Sequence, residues 1–129
     1  MGTEADRVTK ELIRALQDEV KIIALDITDG LMEDTPVDTG WAMSNWIPQI
    51  GTPFEGPVGA RDSVDTAEQE MGMAQVAAQY RLEDGPVFIT NNVPYIEALN
   101  AGHSDKAPAG FVEAVIARVV EESNRRILK

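Results

Sequence analysis

The sequence predicts a single α+β domain over residues 1–129, with a long N-terminal helix, a small mostly antiparallel sheet, and a middle and a C-terminal helix packed on that sheet. Three observations predict this fold. Apolar residues recur at helical spacing in three stretches, and two short β-rich stretches lie between them. A chain of 129 residues, 43% of them hydrophobic, is also long enough to bury one sizeable core.

The first helix is predicted from residue 3 to about residue 33. Thr3 suits the N-cap position, and Pro36 ensures that the helix has stopped. Gly30 is expected to be a weak point of the helix. The apolar residues recur at steps of three and four and form one helical stripe: Val8, Leu12, Leu16, Val20, Ile23, Ile27 and Leu31.

Two short stretches predict the strands of the sheet. Residues 44–51, SNWIPQIG, favour an edge strand because Pro48 has no N–H to donate to a neighbour. Residues 86–91, PVFITN, are rich in β-formers and flanked by turn residues. Residues 51–62, GTPFEGPVGARD, are predicted to be a loop because they are rich in glycine and proline.

The second helix is predicted from Ser63 to about Arg81, with Ser63 as its cap. Its apolar seam consists mostly of small residues: Val64, Ala67, Met71, Ala74 and Ala78. Because such a seam buries little area, we expect this helix to need a neighbour, for example another subunit.

The last helix is predicted from Pro108 to Ile127. It has two adjacent apolar rows, which are Phe111, Val115 and Val119, and then Val112, Ile116 and Val120. Two adjacent rows make a wide apolar face, so we expect this helix to lie on the sheet. It ends in the basic and apolar run RRILK, which could dock on an acidic neighbour.

Acidity is the dominant compositional feature, since 22 acids face 11 lysines and arginines for a net charge of −11. Nucleic-acid binding draws its affinity from phosphate neutralisation, so a nucleic-acid-binding function is disfavoured. An acidic surface would instead let DNA pass without sticking, although solubility alone also explains the charge. Without cysteine, disulfides and thiolate metal sites are excluded. No apolar run approaches the length of a membrane span, so no membrane partner is expected.

The tripeptide Asp38-Thr39-Gly40 matches the signature of aspartic proteases. That chemistry needs two carboxylates sharing one proton, each rising from a buried strand. Here residues 32–36 are the polar end of a helix followed by a proline, and Trp41 stands where a small residue would be needed. We therefore interpret Asp38 as the cap of a short turn or helix starting at Thr39, with a dimeric aspartic protease kept as a remote alternative.

The other candidates for chemistry are weaker. His103 is the only histidine, and it adjoins Ser104 and Asp105, but a catalytic triad converges in space rather than along one loop. The glycines at positions 51 and 56 are spaced as in a phosphate-binding loop, which here lacks its lysine. We therefore predict no catalytic residue, no metal site and no cofactor, and we do not expect an enzyme.

Two segments, read together, resemble a phage family. The first is residues 35–46, TPVDTGWAMSNW, directly after the first helix; the second is residues 91–112, NNVPYIEALNAGHSDKAPAGFV, which leads into the last helix. In these motifs the chain is similar to the neck or tail-completion proteins of tailed phages, the minor tail protein Z-like group of the phage tail-component family. The residues that carry the resemblance are Thr35, Pro36, Asp38, Thr39, Gly40, Ser44, Pro94, Tyr95, Glu97, Gly102, Pro108 and Gly110.

The resemblance implies a virion structural protein at the head–tail junction or upper tail, assembled in the host cytoplasm. It implies a ring subunit around the DNA channel, six-fold as is typical of that family, which joins the connector to the tail. The implied partners are further copies of the chain, connector or stopper proteins, and tail terminator or tail-tube proteins, while DNA passes through without specific binding. An acidic cytoplasmic interaction module, inhibitor-like or antitoxin-like, stays open as the alternative.

The sequence also suggests where partners would bind. Large aromatic and arginine side chains anchor many protein interfaces when they lie near the surface. On that basis the candidate interface residues are Trp41, Trp46, His103, Phe111, Arg125 and Arg126.

Overall fold

The computed structural model describes residues 2–36, 40–102 and 109–128, and within them it has the predicted α+β fold. Helices and strands follow one another in the predicted order, with two short additional helices. The elements are α1 (Glu4–Asp34), α2 (Trp41–Ser44), β1 (Ile47–Ile50), α3 (Ala67–Gln79), a 3₁₀ turn (Leu82–Asp84), β2 (Val87–Thr90), α4 (Ile96–Asn100) and α5 (Phe111–Ile127).

Helix α1 begins where the sequence predicts it. The backbone N–H of Asp6 donates to Thr3 Oγ1 at 3.1 Å, and the N–H of Thr3 donates to Asp6 Oδ2 at 3.0 Å, so the two residues form a capping box. The helix has 31 residues. At about 1.5 Å per residue it is roughly 46 Å long, which is long for a domain of this size.

The sheet consists of β1 and β2, which pair antiparallel with Ile47 opposite Thr90 and Ile50 opposite Val87. Both strands lie inside the stretches that predict them, and the loop predicted over residues 51–62 has no helix or strand. Helix α3 packs on β1 at Gly72, where a Cβ atom would strike the carbonyl oxygen of Pro48. Only glycine lets the helix approach the strand this closely.

The prediction for α3 is wrong in two respects. The helix begins at Ala67, whose N–H donates to Asp65 Oδ1 at 3.2 Å, so Ser63 is not its cap. The face that packs on the sheet is Gln69, Gly72 and Val76, and the predicted seam is exposed: Val64, Ala67, Met71, Ala74 and Ala78. Close approach at Gly72, rather than the count of apolar side chains, selects the buried face.

Helix α5 begins at Phe111 after Gly110, whose φ of 79° lies in the left-handed region that favours glycine. The row Phe111, Val115 and Val119 is buried, and it shares a core cluster with Leu31 and Trp46. Beside that cluster Ile89 of β2 also packs. The second predicted row is mostly outside: Val112 is half-buried, Ile116 is 41% exposed and Val120 is 44% exposed.

Gly30 has a packing role in α1 rather than being a weak point. A Cβ atom at this position would lie 2.6 Å from Arg118 Nη2 and 2.7 Å from Val115 Cγ1. Both contacts are shorter than side chains tolerate, so the absence of a side chain lets α5 lie against α1. At the other end of α5, Arg126 reaches Glu19, which shows that the two helices run in opposite directions.

Candidate functional site

Residues 40–46 of the first motif are almost all buried, and we call them the motif hub. Trp46 Nε1 donates to Thr35 Oγ1 at 2.7 Å, and Thr35 Oγ1 donates in turn to the Leu31 carbonyl at 2.5 Å. Ser44 Oγ donates to the Gly40 carbonyl at 2.8 Å. The hub is thereby tied to the end of α1 by buried hydrogen bonds.

The hub also holds the long loop that follows β1. Trp41 Nε1 donates to the Val58 carbonyl at 2.9 Å. The side chain of Asn45 pairs with both backbone groups of Val58, since its Oδ1 accepts at 2.9 Å and its Nδ2 donates at 3.1 Å. The Asn45 side chain therefore makes the two hydrogen bonds to Val58 that a neighbouring β-strand would otherwise make, in a loop without a strand.

Helix α3 is hydrogen-bonded to the hub through Gln69. Gln69 is fully buried, and its Nε2 donates to the carbonyls of Met43 and Trp46, each at 3.0 Å. The Met43 carbonyl lies in the last turn of α2, where a helix leaves its last acceptors unpaired, and the Trp46 carbonyl lies just before β1. Among the described residues, Gln69 Oε1 is a buried side-chain atom without a hydrogen-bond partner.

The second motif segment packs directly on the first. Asn91 Nδ2 donates to the Ala42 carbonyl at 2.8 Å, and Val93 shares a core cluster with Trp41 and Ala42. The rings of Trp41 and Tyr95 lie 6.0 Å apart, a distance typical of tilted aromatic pairs. The two segments that carry the resemblance are therefore one structural unit.

The segment continues into α5 through Asn100. Its Oδ1 accepts from the Val112 N–H at 3.0 Å, and its Nδ2 donates to Glu113 Oε1 at 2.9 Å. Gly102 has a φ of 92° and lies in the left-handed region that favours glycine, like Gly110. Asn100 thus fixes the first turn of α5 relative to α4.

The predicted motif residues fall into three groups. Thr35, Pro36, Gly40, Ser44 and Tyr95 lie in or around the hub. Pro94, Glu97 and Gly102 are exposed, and Gly110 precedes α5. Asp38, Thr39 and Pro108 lie outside the described residues, as does the candidate interface residue His103, so the structure locates neither the predicted Asp38 cap nor the protease alternative.

The expectation that Trp41, Trp46 and Phe111 are surface anchors for a partner is wrong. They are 8%, 6% and 2% exposed and belong to the core of the chain itself. Both indole N–H groups already donate to acceptors inside the molecule. Because aromatic residues make up only 5% of the chain, the few present are used to build the core.

The basic end of α5 is accessible, as predicted for Arg125 and Arg126. Arg125 is exposed, and Arg126 donates through Nη2 to Glu19 Oε2 at 2.6 Å. This hydrogen bond lowers the pKa of Glu19, and Ser123 Oγ adds a second donor at 3.1 Å. The cluster fastens the end of α5 to the middle of α1.

A groove of about 450 Å³ between α1 and α5 is lined mainly by acidic side chains. Burial raises the pKa of Asp29, and the charges of Asp26 and Glu33 act in the same direction. Glu122 and Arg118 line the α5 side. No group of acidic or histidine side chains in the described part of the chain is arranged to hold a metal ion.

Sequence reasoning missed the exposed half of the α1 stripe. Val8 is 51% exposed, Leu12 59% and Leu16 44%, although all three continue the stripe that packs on α5 further along. The signal was available in the lengths, because α1 has 31 residues and α5 only 17. A helix of 17 residues cannot cover a stripe that runs the length of α1.

The charged residues are also distributed unevenly along the chain. Residues 1–25 hold 5 acids and 4 bases, residues 26–124 hold 17 acids and 4 bases, and residues 125–129 hold 3 bases and no acid. Since the end of α5 lies beside Glu19 in the middle of α1, Arg125 and Arg126 adjoin the inner end of the exposed stripe. Nearly all of the negative charge belongs to the rest of the chain.

A scan against protein-family models found no match, and searches of the curated proteins and of the solved structures found none either. Within the described ranges, no helix has the length and apolar character needed to cross a membrane. The fold and the site define a small α+β protein with an internal scaffold built from its motif segments and an exposed apolar stripe at one end.

Proposed function

We propose that this protein is a structural subunit of a tailed-phage virion, located at the head–tail junction or in the upper tail. In this proposal it forms a ring around the DNA channel and joins the connector to the tail. The motif resemblance supports this class of protein, and six copies are the ring size that the resemblance implies. The hydrogen-bonded hub supports a scaffold role for the motif residues.

The observation that carries the proposal is the exposed apolar stripe on a long, capped helix. Val8, Leu12 and Leu16 are about half exposed, whereas Leu31 on the same stripe is 2% exposed. Such a face is typical of a surface that another protein covers. A subunit that completes its hydrophobic contacts on assembly is what a virion ring requires.

The charge is consistent with a DNA channel. In the ring, surfaces from residues 26–124, which hold 17 acids and 4 bases, would face the channel. Phosphates are repelled by such a surface, so DNA would pass without being held. Contacts above and below the ring would be made with connector and tail proteins.

Deletion of the gene from the phage tests the proposal. We expect separate heads and tails by electron microscopy and infectivity restored by a plasmid copy. Mass spectrometry of purified wild-type particles should detect the protein in a fixed number of copies per virion. Normal infectious particles from the deletion, or a stable monomer that copurifies with a soluble host protein, would instead favour the interaction-module alternative.

A further inference from the structure

We infer that the exposed stripe of α1 seats on the outer face of α3 in a second copy of this chain, so that copies join head to tail. The inference rests on the proposed ring and names the contact that would build it. We call residues 4–18 the docking helix. The receiving face consists of the exposed seam of α3 together with Val64, which lies three residues before the helix begins: Val64, Ala67, Met71, Ala74 and Ala78.

The apolar side of the docking helix is largely uncovered among the described residues, although the 3₁₀ turn touches the helix at Gln17, whose Oε1 accepts from the Leu82 N–H at 2.8 Å. Helix α5 covers the stripe at Leu31, Ile27 and Ile23 and then ends beside Glu19. The next three turns carry Val8, Leu12 and Leu16 on the same side. A second helix in the place that α5 vacates would continue the same packing.

The receiving face has the complementary shape. Ala67, Met71, Ala74 and Ala78 recur at steps of four, three and four, which is the spacing of a seam between two packed helices. They lie opposite Gln69, Gly72 and Val76, which hold α3 on the rest of the chain. Three of the four are alanines, so large side chains of a partner helix could enter between them.

Charge favours this pairing. Residues 62–70, at the start of the receiving face, hold four acids and no base. The inner end of the stripe adjoins Arg125 and Arg126 at the end of α5. Docking on α3 with the two helices antiparallel places these arginines near acids.

A head-to-tail contact also has the symmetry that a ring needs. Contacts between different surfaces repeat around a ring until it closes, whereas a contact between identical surfaces stops at a dimer. One face of a 15-residue helix is smaller than the roughly 800 Å² per partner of a standard interface. We therefore expect a weak single contact that ring closure strengthens.

The lack of native cysteine permits a direct test by disulfide crosslinking. Leu12→Cys protein is mixed with Met71→Cys protein and oxidised. We expect a mixed dimer in many-fold excess over the Lys10→Cys and Met71→Cys control pair. Lys10 is the matched control because it lies on the opposite side of the docking helix, two residues from Leu12.

A second experiment does not depend on crosslinking. We expect Leu12→Glu and Met71→Glu each to abolish assembly at high concentration, and a mixture of the two to form dimers, because one intact pair of faces remains. Analytical ultracentrifugation measures this. Both side chains are more than half exposed, at 59% and 51%, so circular dichroism should show folded variants.

The outcomes separate this contact from the proposed function. A Leu12→Cys dimer with itself, or a mixed yield no higher than the control, would overturn the contact, even with the protein present in virions. A strong mixed dimer together with normal particles from the gene deletion would support the contact and reject the virion role. Failure of the two glutamate variants to form dimers when mixed would also overturn the contact.

Discussion

The two halves of α1 have the same sequence pattern and different surroundings. In the C-terminal half, Leu31 is 2% exposed, and Gly30 lets α5 approach within side-chain contact. In the N-terminal half, Leu12 is 59% exposed, although it lies on the same stripe. The difference teaches that apolar periodicity marks the side of a helix that can be covered, while the length of its neighbour decides how much of it is covered.

The largest expected effect comes from making one substitution in both halves. Leu31→Ala should lower the free energy of unfolding by about 3 kcal/mol because it leaves a cavity in the core. Leu12→Ala should change it by less than about 0.5 kcal/mol in the monomer, because the side chain is mostly in water. Urea denaturation at low protein concentration measures both. Equal losses from the two variants would mean that the docking helix is covered within the chain.

Helix α3 allows a similar comparison between its covered and exposed faces. Gln69→Leu should cost about 2 kcal/mol, because the buried carbonyls of Met43 and Trp46 lose their donor. Gln69→Glu should cost more, since it places further acceptor atoms against those carbonyls. Gln75→Leu on the exposed side is the control and should be nearly neutral. Thermal melts report the order, and a neutral Gln69→Leu would contradict the capping role of Gln69.

The start of α1 should affect stability only locally. Thr3→Ala removes the capping box and should cost about 1 kcal/mol in the first turn. The first turn of α1 lies outside the part of α1 that α5 covers. The midpoint of global unfolding should therefore stay unchanged. Hydrogen exchange should become faster at residues 4–7 and stay constant near Leu31. Thr9→Ala, inside the helix, serves as the control, and a fall in the global midpoint of Thr3→Ala would show that the two halves unfold together.

The smallest expected effect is electrostatic and depends on pH. The hydrogen bond from Arg126 lowers the pKa of Glu19 in the folded protein, so the carboxylate stabilises the fold above its ordinary pKa of about 4.3. This stabilisation is lost as the pH falls through the lowered pKa. Glu19→Gln should therefore cost about 0.5 kcal/mol at pH 7 and nothing in strong acid.

Glu11 provides the control for that pH dependence. It pairs with Arg7 within the docking helix, 3.3 Å away, and both side chains are more than half exposed. Glu11→Gln should therefore be close to neutral at every pH. A Glu19→Gln effect that persists unchanged at pH 2 would show that shape rather than charge is what Glu19 contributes.

Much of the fold could be predicted because its signals are local. Thr3 and Asp6 form the N-terminal cap of α1, and the β-formers around Ile89 form a strand, through interactions within a few residues. The buried row of α5 was also predicted, since Val115 and Val119 lie on its strongest apolar face. The candidate site was predicted less well: its motif residues were found, but Trp41 and Trp46 were expected at the surface.

The sequence by itself determined the helices, the two strands, the acidity and the motif residues, because propensity, periodicity and charge act over short distances along the chain. Only the tertiary structure decided which faces are covered. Gly72 brings α3 onto Pro48, Gly30 brings α5 onto α1, and the end of α5 beside Glu19 leaves Leu12 exposed. These outcomes depend on close approach between distant segments, which residue spacing within one helix does not encode.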